Sequence, residues 1–113
     1  MGFVDIENQP AFEPLPGVRL RTPHGEQLML SVVEMDEGSE VPLHSHHHEQ
    51  AGILLEGRML LRIGDEEKEL GPGEMYIIPG GSEHRALAVG GPIKVLDVFS
   101  PIREDYAAQT HGN

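Results

Sequence analysis

The sequence contains no cysteine. That removes disulfide scaffolds, thiol nucleophiles and thiolate-held zinc or iron–sulfur sites in one step. Cations are scarce as well: 8 Lys and Arg stand against 19 Asp and Glu, a formal charge of −11. Nucleic-acid binding is driven by cationic side chains that displace phosphate counterions, so no nucleic-acid partner is expected. An anionic membrane surface is disfavoured on the same ground. No uncharged apolar run approaches the roughly 20 residues that a spanning helix needs, and no membrane partner is expected. The segment Met1–Glu7 has neither a basic region nor an apolar stretch. No signal peptide is read there, and a cytoplasmic location is expected.

Turn chemistry, by contrast, is abundant. With 14 Gly and 9 Pro in 113 residues, the chain suits many short strands joined by tight turns rather than a helical bundle. Its length suits a single domain. Residues 1–27 are broken up by Pro10, Pro14, Pro16 and Pro23 and read as an irregular N-terminal arm, with only Val18–Leu20 fit for a short strand. From residue 28 to 113 the chain reads as one all-β unit. Leu28–Met35 turns at Asp36-Glu37-Gly38, Ala51–Leu55 stops at Glu56-Gly57, and Arg58–Ile63 stops at Gly64-Asp65. Lys68–Leu70, Met75–Ile78, Arg85–Val89 and Ile93–Phe99 each run into a glycine or proline cluster. Such spacing indicates a sandwich or barrel. One short helix is predicted in the tail, with Ser100 as cap, Pro101 at its first position and Glu104-Asp105 at its positive end. Glu66, Glu67 and Glu69 read as a solvated hairpin tip.

Chemistry concentrates in Gly38–Gln50 and again in Gly73–His84. His44 and His46 are two apart, so on an extended strand both imidazoles leave one face. If the chain then turns through His47-His48-Glu49, Gln50 returns its amide oxygen to that face. The Pro79-Gly80-Gly81 turn can aim His84 into the same interior. Three neutral nitrogens and one oxygen suit a divalent first-row ion. A histidine-rich tract can equally be a solvated loop, which is the reading for His47 and His48. His24 and His111 lie in polar irregular segments and are read as non-ligands.

The pattern Gly38-x5-His44-x-His46-x3-Gln50-x6-Gly57, followed by Gly73-x5-Pro79-x-Gly81-x2-His84, resembles the two signature motifs of the cupin superfamily. The resemblance implies a double-stranded β-helix, or jelly-roll barrel. It also implies one transition metal, of the kind Mn, Ni, Fe or Zn, on His44, His46, Gln50 and His84. Two positions depart from the usual pattern: Gln50 replaces the common glutamate, and Ala88 replaces the asparagine that often ends the second motif. With a neutral ligand set the ion keeps its full charge and acts as a stronger Lewis acid.

A second constellation lies near the C-terminus. Period-2 geometry places Ile93, Val95, Asp97 and Phe99 on one face of a strand, with Lys94, Leu96 and Val98 on the other. Asp97 is thus an ionisable group in an apolar row, whose pKa rises if that row faces the interior. The segment from Asp97 to Tyr106 resembles the C-terminal part of the pectin-degradation cupins of the KdgF type, which share the His-x-His-x3-Gln half-site. The resemblance implies a pocket lined by Asp97, Phe99 and Arg103 and a reaction that opens unsaturated uronates to the linear keto acid. Arg103 would hold the substrate carboxylate bidentately, Asp97 would shuttle the proton, and Phe99 would form an apolar wall. Two other classes remain open at this point: a dioxygenase or isomerase on another small substrate, and a non-catalytic metal- or ligand-binding module. The apolar face of Leu96 and Val98 suits contact with another sheet or subunit, and the resemblance to small cupins implies a homodimer to which residues 1–27 could contribute.

Overall fold

The computed structural model describes residues 2–110, with the backbone alone for Thr110; His111 lies outside the described residues. Among the described residues, ten strands follow one 3-10 turn at Ile6–Asn8. They are β1 Phe12–Leu15, β2 Val18–Arg21, β3 Met29–Met35, β4 Glu40–His44 and β5 Glu49–Glu56. After these come β6 Met59–Ile63, β7 Glu66–Leu70, β8 Met75–Ile78, β9 His84–Ala88 and β10 Ile93–Ser100, and α1 Glu104–Thr110 ends the described chain. A six-stranded sheet has the order β1-β2-β3-β10-β5-β8, and a four-stranded sheet the order β4-β9-β6-β7. All pairings are antiparallel. Among the described residues no helix is long and apolar enough to cross a membrane.

The arm carries more regular structure than its prolines predict. β1 and β2 form a hairpin that extends the larger sheet through β3, and Val18 and Leu20 enter the core. Proline is tolerated there because β1 is an edge strand, where a missing N–H costs no ladder bond. The helix begins later than the sequence predicts. Ser100 is still paired with Glu49 in the ladder, so its backbone is committed to the sheet and it cannot cap. Pro101 follows it in a cis peptide, and the helix opens instead with Glu104 and Asp105 in its first turn. Glu66, Glu67 and Glu69 stand exposed in the β6–β7 hairpin, as expected of a solvated tip.

Register decides where the core stops and the site starts. On the inner face of the larger sheet, Val33, Val95 and Leu54 form one cross-strand row. With Val18, Leu20, Met35, Met59, Leu61 and Ile93 they form part of the buried apolar cluster. Each such side chain contributes about 1.5–3 kcal/mol by leaving water. The next row along the strands is Ser31–Asp97–Gly52–Tyr76, and the one after it Met29–Phe99–Gln50–Ile78. A polar row therefore follows the apolar one within a single two-residue step, and Gln50 is the polar member of the row beyond it. On the outer face of the same sheet, Leu96 and Val98 are half-buried, while Met75 and Ile77 on the edge strand are 73% and 66% exposed.

Candidate metal centre

His44 and His84 are direct cross-strand partners in the smaller sheet, with ring centroids 4.2 Å apart. β4 ends at His44, so His46 lies in the connection that leads across to β5 rather than on the strand. It still reaches the same space, 5.5 Å from the His44 ring and 4.9 Å from the His84 ring. The turn after β8 makes this possible. The Gly81 N–H donates to the His46 carbonyl at 2.8 Å, and a Cβ on Gly80 would stand 2.3 Å from the His47 carbonyl oxygen. Only glycine lets the two backbones approach this closely, which draws the His84 strand against the His46 loop. Gln50, second residue of β5, is buried and completes the group, while Glu49 faces outward.

The protonation pattern is set by the backbone. Nδ1 of His44 donates to the Pro42 carbonyl at 2.9 Å, Nδ1 of His46 to that of His48 at 3.1 Å, and Nδ1 of His84 to that of Ser82 at 3.0 Å. Each neutral ring then presents a bare Nε2, the arrangement that orients metal-ligating histidines. Burial first, and then the Arg103 charge, pushes His46 down to about 4, and burial lowers His84 as well. Both rings therefore stay neutral at physiological pH. With Nδ1 donating, the 3.1 Å between His46 Nε2 and Gln50 Oε1 separates two lone pairs. Two lone pairs this close would both be satisfied by one divalent cation bound to them. His84 Nε2 is buried with no hydrogen-bond partner, and the ligand atoms of His44, His46 and His84 all lie within 4.8 Å of one another. This donor set fits a divalent ion. His47 and His48 stack on each other at 3.9 Å, with His47 exposed and His48 half-buried; neither belongs to the cluster, and nor does His24.

Asp97 and Phe99 are 7% and 3% exposed, so the row of alternate residues on β10 does face inward. Burial pushes the Asp97 carboxyl up to about 6, although hydrogen bonds from Tyr76 and Gln50 and the charge of Arg103 pull the other way. The Tyr76 hydroxyl donates to Asp97 Oδ1 at 2.5 Å. Burial, followed by the charge and hydrogen bond of Asp97, holds that phenol well above its ordinary pKa, so it remains a donor. Gln50 thus has two roles that a glutamate could not combine: its oxygen faces the histidines, while its amide N–H donates to the buried carboxylate. Sequence reasoning missed Tyr76. The available signal was a residue with a polar tip, two before Ile78 on a strand face that turns inward, with glycine at the position it must cross. A Cβ on Gly52 would lie 2.3 Å from Asp97 Oδ1 and 2.4 Å from the Tyr76 hydroxyl, so the bond passes directly over that residue.

Arg103 lines the same cavity, with its guanidinium 3.8 Å from the centroid of Tyr106 and 5.2 Å from that of Phe99. Its Nε and Nη2 donate to Asp105 at 3.4 Å and 3.0 Å, so one edge of the fork is taken and the Nη1–Nη2 edge is open. Asp97, Gln50, His44, His84, Tyr76 and Phe99 are also on the cavity wall. The cavity holds about 720 Å³ of atom-free space, its mouth included.

The profile of the family described as Cupin domain matches residues 31–99. Among solved structures, KdgF from Halomonas sp. is 29% identical with a TM-score of 0.84, over 92% of this chain and 96% of that one. An RmlC-like cupin from Shewanella frigidimarina is 25% identical with a TM-score of 0.87, over 94% and 96% of the two chains. The polyketide cyclase RemF from Streptomyces resistomycificus is 27% identical with a TM-score of 0.76, over 88% of this chain and 79% of its own.

Proposed function

The chain belongs to the cupin domain family, and we propose that it is a metal-dependent enzyme that opens unsaturated uronates to the linear keto acid. One observation carries this reading. A buried carboxyl poised near neutral pH, Asp97, accepts a hydrogen bond from Gln50, whose amide oxygen faces a cluster of three imidazoles. The likeness to KdgF over nearly the whole of both chains supports it.

His44, His46, His84 and Gln50 would hold the ion, of the kind Mn, Ni, Fe or Zn, and when bound it supplies Lewis acidity toward a substrate oxygen. The proton chemistry belongs to Asp97. As carboxylate it takes the proton of the anomeric hydroxyl; the C–O bond to the ring oxygen breaks as the aldehyde forms, leaving an enolate. As carboxylic acid it returns that proton to the former alkene carbon, and the enolate oxygen becomes the ketone. The sum is an isomerisation that consumes neither water nor oxidant. A group with a pKa near 6 serves both halves, because neither protonation state is expensive at neutral pH. Tyr76 and Gln50 hold the carboxyl in place throughout. The open Nη1–Nη2 edge of Arg103 binds the substrate carboxylate, and its stacking on Tyr106 fixes the plane of the fork. Phe99 excludes water from the enolate.

The apolar inner wall, with Val33, Leu61 and Val95 among its residues, favours a second reading. It is metal-dependent chemistry on a more hydrophobic substrate, in line with the likeness to a polyketide cyclase. The test that separates them supplies unsaturated galacturonate to the Mn- or Ni-loaded protein and follows the conjugated alkene absorbance. Ring opening predicts its loss well above the buffer rate, abolished in Asp97→Asn with metal content unchanged. No acceleration with metal bound rejects the uronate reading.

A further inference from the structure

Ser31 breaks the pattern of its strand. Met29, Ser31, Val33 and Met35 are the inward residues of β3, and all are buried, but only Ser31 is polar. It is 1% exposed, its hydroxyl has no hydrogen-bond partner among the described residues, and it stands on the cavity wall. Its cross-strand partner is Asp97, on the side of β10 opposite Gly52. The polar row that ends at Tyr76 on one flank therefore ends at an unsatisfied hydroxyl on the other. A buried hydroxyl without a partner destabilises a fold, and alanine fits the same space without that cost. What sets this hydroxyl apart from an ordinary unsatisfied group is its place on the cavity wall, within reach of what enters.

We propose that Ser31 forms a hydroxyl-binding subsite beside Asp97 and accepts or donates a hydrogen bond to a secondary ring hydroxyl of the bound sugar acid. This deepens the uronate reading and rests on it for the ligand class. The arrangement gives the substrate three polar anchors. Arg103 takes the carboxylate, the histidine cluster and Gln50 would hold an ion that supplies Lewis acidity toward a substrate oxygen, and Ser31 takes a hydroxyl. The apolar row just beyond, Val33–Val95–Leu54, offers no further hydrogen bond and limits how deep a polar ring can sit.

Thr22 provides the control. It is equally buried and its hydroxyl equally unpartnered, but it is not on the cavity wall. Ser31→Ala is expected to keep its metal content and kcat, to raise KM for unsaturated galacturonate about tenfold, and to melt no lower than the parent protein in the absence of ligand. Thr22→Val is expected to leave KM unchanged. An unchanged KM in Ser31→Ala, or the same rise in Thr22→Val, overturns the subsite. Binding of saturated galacturonate to the Mn-loaded protein, measured by calorimetry, separates the two claims. Tenfold weaker binding in Ser31→Ala without any turnover in the parent sinks ring opening and sustains the subsite. Equal binding by parent and variant alongside full turnover does the reverse, and a parent that neither binds saturated galacturonate nor turns over the unsaturated sugar overturns both.

Discussion

Replacing Gly52 by alanine puts a methyl group into the one place where the Tyr76–Asp97 bond leaves no room. The added carbon would lie 2.3 Å from the Asp97 oxygen and 2.4 Å from both Cζ and the hydroxyl of Tyr76. Neither partner can yield easily: Asp97 is held on a central strand between β3 and β5, and Tyr76 is tied to the ladder opposite Gly52. Overpacking a core by one methyl typically costs about 1–3 kcal/mol. Losing a hydrogen bond to an ionised group costs about 1.5–3 kcal/mol. The two overlap, because relieving the clash is what breaks the bond, so a destabilisation of about 2–5 kcal/mol is expected. At roughly 4 °C per kcal/mol for a domain of this size, the melting temperature falls by about 8–20 °C. Urea unfolding of the metal-free protein measures the free energy, and Gly25→Ala serves as reference because a Cβ there meets nothing within 4 Å. A Gly52→Ala variant within about 0.5 kcal/mol of that reference, the range of ordinary surface changes, would refute the claim that the bond crosses this residue.

Two further outcomes follow from the same geometry. His84→Ala removes a buried, unpartnered Nε2 from the cluster, and metal affinity is expected to fall by more than the roughly 100-fold that loss of an outer-shell partner can cause; metal content after dialysis checks this, and an unchanged content refutes the ligand assignment. The Asp97 carboxyl stands at about 6 in the folded protein against an ordinary 3.8, so the folded state keeps this proton longer than the unfolded chain does. Stability from this group is therefore highest below pH 4, declines as pH rises toward 6, and is lower by about 3 kcal/mol above it. His46, depressed to about 4, works in the opposite sense over the same interval, since protonating it favours unfolding as pH falls below 6.5. The difference in unfolding free energy between metal-free Asp97→Asn and its parent isolates the first effect; it should shift in favour of the variant as pH rises from 4.5 to 7, and a flat difference contradicts the raised pKa.

The histidine pair shows how much a local pattern can carry and where it stops. Spacing by two predicts that His44 and His46 share a face, and their rings do converge, although β4 ends before His46 is reached. The close approach of Gly80 to His47 holds the loop in place where strand geometry no longer does. In the same way, alternation on β10 predicts Asp97 among apolar neighbours, and the row is buried. Asp105, two residues on and in the first turn of α1, takes one edge of the Arg103 fork, a contact that no periodicity reveals.

The amino-acid order alone determined which residues alternate, where glycine and proline end each strand, and which side chains can ligate or ionise, because those properties depend on a residue and its nearest neighbours. Tertiary structure decided the rest: that Tyr76 reaches Asp97 over Gly52, that Gln50 faces the histidines with one atom and the acid with the other, and that Ser31 borders the cavity unpaired. Apart from Gln50 with His44 and His46, these partners lie 20 to 70 positions apart along the chain. They meet only through strand register, and register is set by which apolar rows pack together at the far end of the barrel.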